Sequence, residues 1–278
     1  MGDSEFAPLW SDYDKSVYYN TYDVTSQVKK GGNAIGVLLG NGFYNVQGGR
    51  YRKLQISFGA PTLRFRMVVN YEDGTSETIV SGKDWKYDFS PVLFNCIYGG
   101  EDYDARREQK GWNMFGFKEQ DWRPVVIQEA PKGVLRPQIA QPVKIMERYD
   151  IRKMTKLTAE QITAACKSTK RTVDPSAFVL DMGQNLAGFP EITVRGKKGQ
   201  KITLLVSESL TDEGACNQRQ TGRQHYYEYM KGREMEDLAS SFFLLWFPVY
   251  SGGRRCAERA KKHLASSGDP EDTIVLCL

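Results

Sequence analysis

The sequence predicts an all-β fold of two antiparallel β-sandwich domains of the jelly-roll or lectin-like kind, and three observations carry that expectation. Short β-type runs broken by Gly, Asn and Asp turns dominate residues 1–230. Helical periodicity is nearly absent, the stretch Ala159–Thr163 being at most a short helix. The composition, 40% hydrophobic and 26% charged over 278 residues, is that of a globular chain with material for two domains.

Taken in order, Val37-Leu38-Leu39-Gly40 reads as a compact apolar strand running into the Asn41-Gly42 turn. Leu63 to Val69 alternates apolar and polar residues at period two, as a half-buried strand does. Asp73-Gly74 then separates it from Thr78-Ile79-Val80, and Asp-Gly between two such runs predicts a hairpin. Ile192-Thr193-Val194 and Ile202 to Val206 flank the polar turn Gly196-Lys197-Lys198-Gly199. Pro131, Pro137 and Pro142 mark a boundary, because proline-rich stretches connect modules better than they build them. The expected domains are therefore residues 1–130 and 138–231, followed by an irregular tail over 235–278.

Several function classes are disfavoured. The net charge of +4 is small and Lys and Arg are scattered, so no nucleic-acid footprint is expected. No apolar run reaches the roughly 18 residues that cross a bilayer, so no membrane partner is expected. Met1 to Trp10 has no basic segment followed by an apolar stretch, so it does not read as a secretory signal. Five scattered cysteines form no CxxC or metal-ligand spacing. The two histidines, His225 and His263, leave little material for a zinc site or a Ser-His-Asp triad.

Two sets of segments resemble the accessory modules of bacterial α-L-rhamnosidases, a glycoside-hydrolase family. The first comprises Tyr22-Asp23-Val24-Thr25, then Gly32 to Tyr44 (GNAIGVLLGNGFY), Gly100-Glu101-Asp102-Tyr103-Asp104-Ala105-Arg106, and Gly111-Trp112. The second comprises Leu180 to Gly188 (LDMGQNLAG) and Ser207-Glu208-Ser209-Leu210. Their order and spacing, rather than any one segment, carry the resemblance. It implies that further strands ordinarily precede Met1–Trp10, leaving a sheet edge exposed here. It also implies hydrolysis of terminal α-L-rhamnose by the intact enzyme through an inverting mechanism. The carboxyl pair that this chemistry needs would lie on a helical α/α toroid downstream, which nothing in this sequence could build. The chain is thus expected to be non-catalytic, a sugar-binding accessory portion with rhamnose-containing carbohydrate as a weak partner. The alternative is a purely structural or interaction module.

Candidate carbohydrate contacts are Asn41, Tyr44, Asn45 and Trp112, since a sugar site needs flat apolar rings beside amides. The opposing reading makes Phe43 and Tyr44 core aromatics. Glu101, Asp102 and Asp104 crowd three hard oxygen donors into four positions and form a candidate calcium set. Some modules that these resemble bind rhamnose through calcium. The opposing reading pairs Asp104 with Arg106 or Arg107 at a strand end. Asp181, Gln184 and Asn185 lie among glycines and read as turn-fixing side chains.

From about Met235 the character changes. Ser241 to Tyr250 neither alternates nor matches the family, which usually closes this module with a segment like Trp-x-Pro-x-Phe-x-Tyr-x-Gly-Phe-Arg-Tyr. Reading the codons of Asp237 to Tyr250 one base later forces a glycine from Trp246 and Phe247, and permits Trp-Leu-Pro-His-Phe-Ser-Tyr-Tyr-Gly-Phe-Arg-Tyr across the stretch. Residues 235–278 are therefore read as an out-of-frame tail, with no evolved role for Cys256, Cys277 or the cluster Arg254, Arg255, Arg259, Lys261 and Lys262.

Overall fold

A computed structural model describes residues 4–46, 48–50, 54–195, 197–219, 224–232, 235–238, 264–265 and 271–277. Among the described residues strands dominate, with one α-helix and one 3-10 turn, so the fold is all-β. The chain divides into two compact units. The first is Met1–Asn45, Ser57–Ser90 and Gln109–Val143; the second is Val46–Ile56, Pro91–Glu108 and Lys144–Leu278. Two segments from within the first expected domain thus fall in the second unit. The reason is sheet pairing: Gly100–Asp104 hydrogen-bonds beside Tyr226–Met230, far away in sequence.

In the first unit, Arg66–Asn70 and Ser76–Val80 form the expected antiparallel hairpin. The Asp73 Oδ1 atom accepts hydrogen bonds from the Thr75 amide and hydroxyl at 2.9 and 2.6 Å, and Gly74 takes φ +85. A side-chain cap plus a left-handed glycine is what closes such a turn. Lys86–Tyr87 pairs antiparallel with Arg123–Pro124, and Ser16–Tyr19 pairs parallel with Val134–Pro137. The proline-marked boundary is therefore partly strand. Val37-Leu38-Leu39 forms no ladder, and Leu38 and Leu39 are exposed. An apolar run becomes a strand only where a neighbour accepts its hydrogen bonds, and none among the described residues does so here.

The second unit is built on a seven-stranded mixed sheet. In spatial order its strands are Lys153–Lys156, Phe178–Asp181, Glu271–Cys277, Lys201–Leu205, Tyr226–Met230, Gly100–Asp104 and Val92–Cys96. The pairs Lys153–Lys156 with Phe178–Asp181, Lys201–Leu205 with Tyr226–Met230, and Val92–Cys96 with Gly100–Asp104 are antiparallel. The remaining neighbours run parallel. Parallel pairing needs a long crossover, which the intervening chain supplies. Ile192–Arg195 and Lys201–Leu205, which flank the glycine turn, do not pair with each other; Ile192–Arg195 joins Met235–Leu238 and Leu264–Ala265. Strands thus occur within the tail expected to be irregular. Thr273-Ile274-Val275-Leu276 is a β-branched, apolar run that suits a sheet whatever its origin. The tail's basic cluster and Cys256 lie outside the described residues.

Both faces of this sheet are apolar. Successive residues point to opposite faces, so Leu180, Leu204, Tyr227 and Tyr229 join one cluster while Val179, Leu205 and Tyr226 join another. The second cluster is covered by Ala164 and Ala165 of the helix Ala159–Thr169. The sequence reading undersized this helix, yet its start is written locally. Thr158 Oγ1 accepts from the Gln161 amide at 3.3 Å, and Gln161 Oε1 accepts from the Thr158 amide at 3.0 Å, a reciprocal capping box. Thr158→Ala is expected to cost about 1 kcal/mol, measured as a lower urea midpoint with an unchanged slope.

Candidate functional site

In the first unit the turn Asn41–Asn45 gathers three of the four proposed sugar contacts. The Asn45 amide proton bonds the Asn41 carbonyl at 3.0 Å. The Asn45 side chain donates to Asn41 Oδ1 at 2.9 Å and accepts from the Ser57 hydroxyl at 2.8 Å. With Asn45 buried at 4% exposure, its amide is spent on holding the turn. Tyr44 packs its ring against Tyr13 and Phe58 at centroid distances of 5.0 and 5.7 Å, and Phe43 packs on Trp10 at 5.4 Å. Burial, and then the neighbouring Tyr44, push the Tyr13 phenol above its ordinary range. Tyr13, Phe43, Tyr44 and Phe58 therefore build a half-buried aromatic core, with Trp10 exposed at its margin. Trp112 makes no hydrogen bond or ring contact with that group among the described residues; it lies against Gly36, where a Cβ would sit 2.5 Å from the indole.

In the second unit, the Gly100–Asp104 strand sends its three acids to different ends. Glu101 faces the core beside Tyr227, whereas Asp102 and Asp104 point to the other face. Asp102 pairs with Arg50, whose other guanidinium nitrogen donates to the Tyr226 carbonyl at 3.0 Å. Asp104 takes Arg106 through two hydrogen bonds, each 2.8 Å, with Arg107 at 3.9 Å. Arg106 holds the Asp104 carboxyl below its usual range. The expected calcium set does not fit: the strand pleat separates Glu101 from the other two acids, and guanidinium groups occupy those. Among the described residues no group of three or more His, Cys, Asp or Glu converges on a common point.

The structure assembles a constellation that no local sequence signal marks. The Arg50 guanidinium lies 4.2 Å from the Phe94 ring centre and 3.5 Å from that of Tyr226. The guanidinium of Arg171 stacks on the same Tyr226 ring at 3.7 Å and pairs with Glu228, which also has Lys201 at 3.8 Å. Cations over aromatic faces and beside carboxylates make a rigid polar network. Gly100 makes the close approach possible. It has φ +89, and a Cβ there would sit 1.9 Å from the Tyr226 carbonyl oxygen. On the opposite face Glu101 is 3% exposed, and its Oε1 has no hydrogen-bond partner among the described residues. Burial, with Asp102 adding to it, pushes the Glu101 carboxyl up to about 8. His225 Nε2 lies 3.0 Å from the Tyr227 hydroxyl, and burial followed by the Arg50 charge pushes the imidazole down to about 3. The same burial raises Tyr227 well above the usual phenol range. Near the sheet's edge, Asp181 Oδ1 accepts from the Gly183 amide at 2.7 Å, the turn-fixing role read from the sequence.

Residues 1–147 match the family model of the α-L-rhamnosidase N-terminal domain. Residues 171–247 match that of the bacterial α-L-rhamnosidase concanavalin-like domain. This chain belongs to the α-L-rhamnosidase family. An α-L-rhamnosidase of Streptomyces avermitilis is 35% identical over 216 residues, covering 77% of this chain and 19% of that protein. One from Formosa agariphila is 32% identical over 220 residues, covering 77% and 21%. The solved α-L-rhamnosidase from Dictyoglumus thermophilum superposes with a TM-score of 0.71 at 33% identity, covering 85% of this chain and 24% of that one. The Streptomyces avermitilis enzyme complexed with L-rhamnose gives 0.68 at 30% identity, covering 84% and 22%. The chain thus spans about a fifth of the length of these α-L-rhamnosidases. The concanavalin-like match runs on to residue 247, inside the stretch whose codons read as shifted.

Proposed function

We propose that this chain is the accessory, sugar-recognising N-terminal portion of an α-L-rhamnosidase, and that it has no hydrolytic activity of its own. The intact enzyme would remove terminal α-L-rhamnose from glycans or glycosides. The observation that supports this reading is the extent of the likeness, which falls on the N-terminal and concanavalin-like domains and spans about a fifth of each relative. The chemistry agrees. Glycoside hydrolysis needs two carboxyl groups facing each other across a cleft about 5 to 9.5 Å wide. Here the carboxyl held protonated, Glu101, is enclosed in the core, and its neighbour Asp102 points through the sheet to the other face, bound to Arg50.

Incubation of the purified chain with nitrophenyl α-L-rhamnoside is expected to release nitrophenol no faster than buffer alone. Measurable turnover that survives repeated purification would sink the proposal. A purely structural or interaction role draws support from one feature, the nearly full exposure of Val126 (81%) and Ile139 (89%). Apolar side chains so exposed suit a contact surface.

A further inference from the structure

We infer that Tyr87, Phe89 and Arg123 form a binding platform for an anionic saccharide, one carrying carboxylate or sulfate groups. The inference rests on the accessory reading above and gives it a site that the sequence did not suggest. All three residues lie in the first unit. Tyr87 and Arg123 are direct partners across the short antiparallel ladder of Lys86–Tyr87 with Arg123–Pro124, so their side chains leave the same face. The rings of Tyr87 and Phe89 meet edge to face at 6.2 Å, and the Arg123 guanidinium stands 5.2 Å from the Phe89 ring centre.

Three features distinguish this patch from the aromatic cluster around Tyr44. The first is exposure: Phe89 is 65% exposed and Tyr87 37%, so the rings offer faces rather than fill a core. The second is rigidity. Asp88, between the two rings, accepts from the Gln109 side chain, whose Oε1 accepts from the Trp122 indole at 2.8 Å. This chain of hydrogen bonds fixes the segment before any ligand arrives, which lowers the ordering cost of binding. The third is charge. Arg123 is exposed and forms no ion pair among the described residues, whereas Arg50, Arg106 and Arg171 each hold a carboxylate.

Aromatic faces suit the apolar C–H surface of a pyranose ring, and a fork of guanidinium donors suits a planar carboxylate or a sulfate ester. A neutral sugar would use the rings and leave the cation unmatched. An inorganic anion would use the cation and ignore the rings. The combination selects a saccharide with an acidic group close to a stackable ring.

The test is equilibrium titration of the full chain at low salt with oligogalacturonate, a sulfated dextran oligosaccharide, neutral dextran oligosaccharide and inorganic sulfate. One of the two anionic saccharides is expected to bind at least about tenfold tighter than the neutral one and the inorganic ion, which also separates carboxylate from sulfate. Phe89→Ala should weaken it about tenfold or more, a loss typical of one aromatic contact. Phe89→Tyr should retain it, and Arg123→Gln should erase the preference for the anionic ligand. Unchanged thermal unfolding of the variants guards against misfolding. Unaltered binding in Phe89→Ala and Arg123→Gln, or no preference for either anionic saccharide, overturns the platform. Neither outcome bears on the absence of hydrolytic activity, which the nitrophenyl rhamnoside assay tests separately.

Discussion

Replacing Arg50 with Met is expected to destabilise the second unit by about 3 kcal/mol, the scale for removing one partner of a largely desolvated ion pair. The guanidinium is only 10% exposed and does three things at once. It neutralises Asp102, satisfies the Tyr226 carbonyl, and fills the gap between the Phe94 and Tyr226 rings. Burial already raises the Asp102 carboxyl, and Arg50 is the first influence that lowers it again. Without Arg50 that carboxylate must either remain charged in a poorly solvated place or take up a proton. The penalty should therefore be largest at neutral pH and shrink as acid protonates Asp102. The double variant Arg50→Met with Asp102→Asn should recover part of the loss, because no charge is then stranded. Urea unfolding of both single variants and the double variant gives the coupling directly. Simple additivity would show that the pair contributes nothing beyond packing.

Why that network escaped sequence reading follows from distance along the chain. Arg50 and the Tyr226 carbonyl are 176 residues apart, and neither residue carries a local signature. Parallel pairing of Gly100–Asp104 with Tyr226–Met230 is what joins them, and parallel neighbours leave no turn motif between them. By contrast the Asp73-Gly74 hairpin was legible because its cap, its glycine and both strands lie within fifteen residues. The doubly buried strand Lys201–Leu205 was legible as a strand, since Ile202, Leu204 and Leu205 put apolar groups on both faces. The helix Ala159–Thr169 was underestimated because Ala, Thr and Ser give it a weak apolar stripe, although Thr158 and Gln161 announced its start. The three acids at 101, 102 and 104 looked like a ligand set because spacing was visible and the pleat was not. Asn45 looked like a sugar contact because its partners Asn41 and Ser57 could not be seen to consume it.

The second large effect is a stability profile with a mildly acidic optimum, set by two buried groups shifted in opposite directions. Glu101 is an acid pushed from its ordinary 4.5 up to about 8, so from pH 4.5 upwards the unfolded chain has lost a proton that the folded one keeps. Its contribution falls as pH rises across that window, by about 1.4 kcal/mol per unit. His225 is a base pushed from 6.5 down to about 3, so below pH 6.5 the unfolded chain binds a proton that the folded one refuses. Its contribution falls as pH drops, with the same slope. Between 4.5 and 6.5 the two slopes oppose each other; Asp102, also raised by burial, adds a decline towards higher pH. Above 6.5 only Glu101 acts, and about 2 kcal/mol should be lost by pH 8. Below 4.5 His225 acts with Asp104, whose depressed carboxyl also loses stability in acid. Glu101→Gln removes the titrating carboxyl while keeping its size, so its urea midpoint should stay level from pH 6.5 to 8 and exceed that of the parent at pH 8. Parallel profiles for the two proteins would mean that Glu101 is ionised in the fold, and would require a cation or water beside its Oε1.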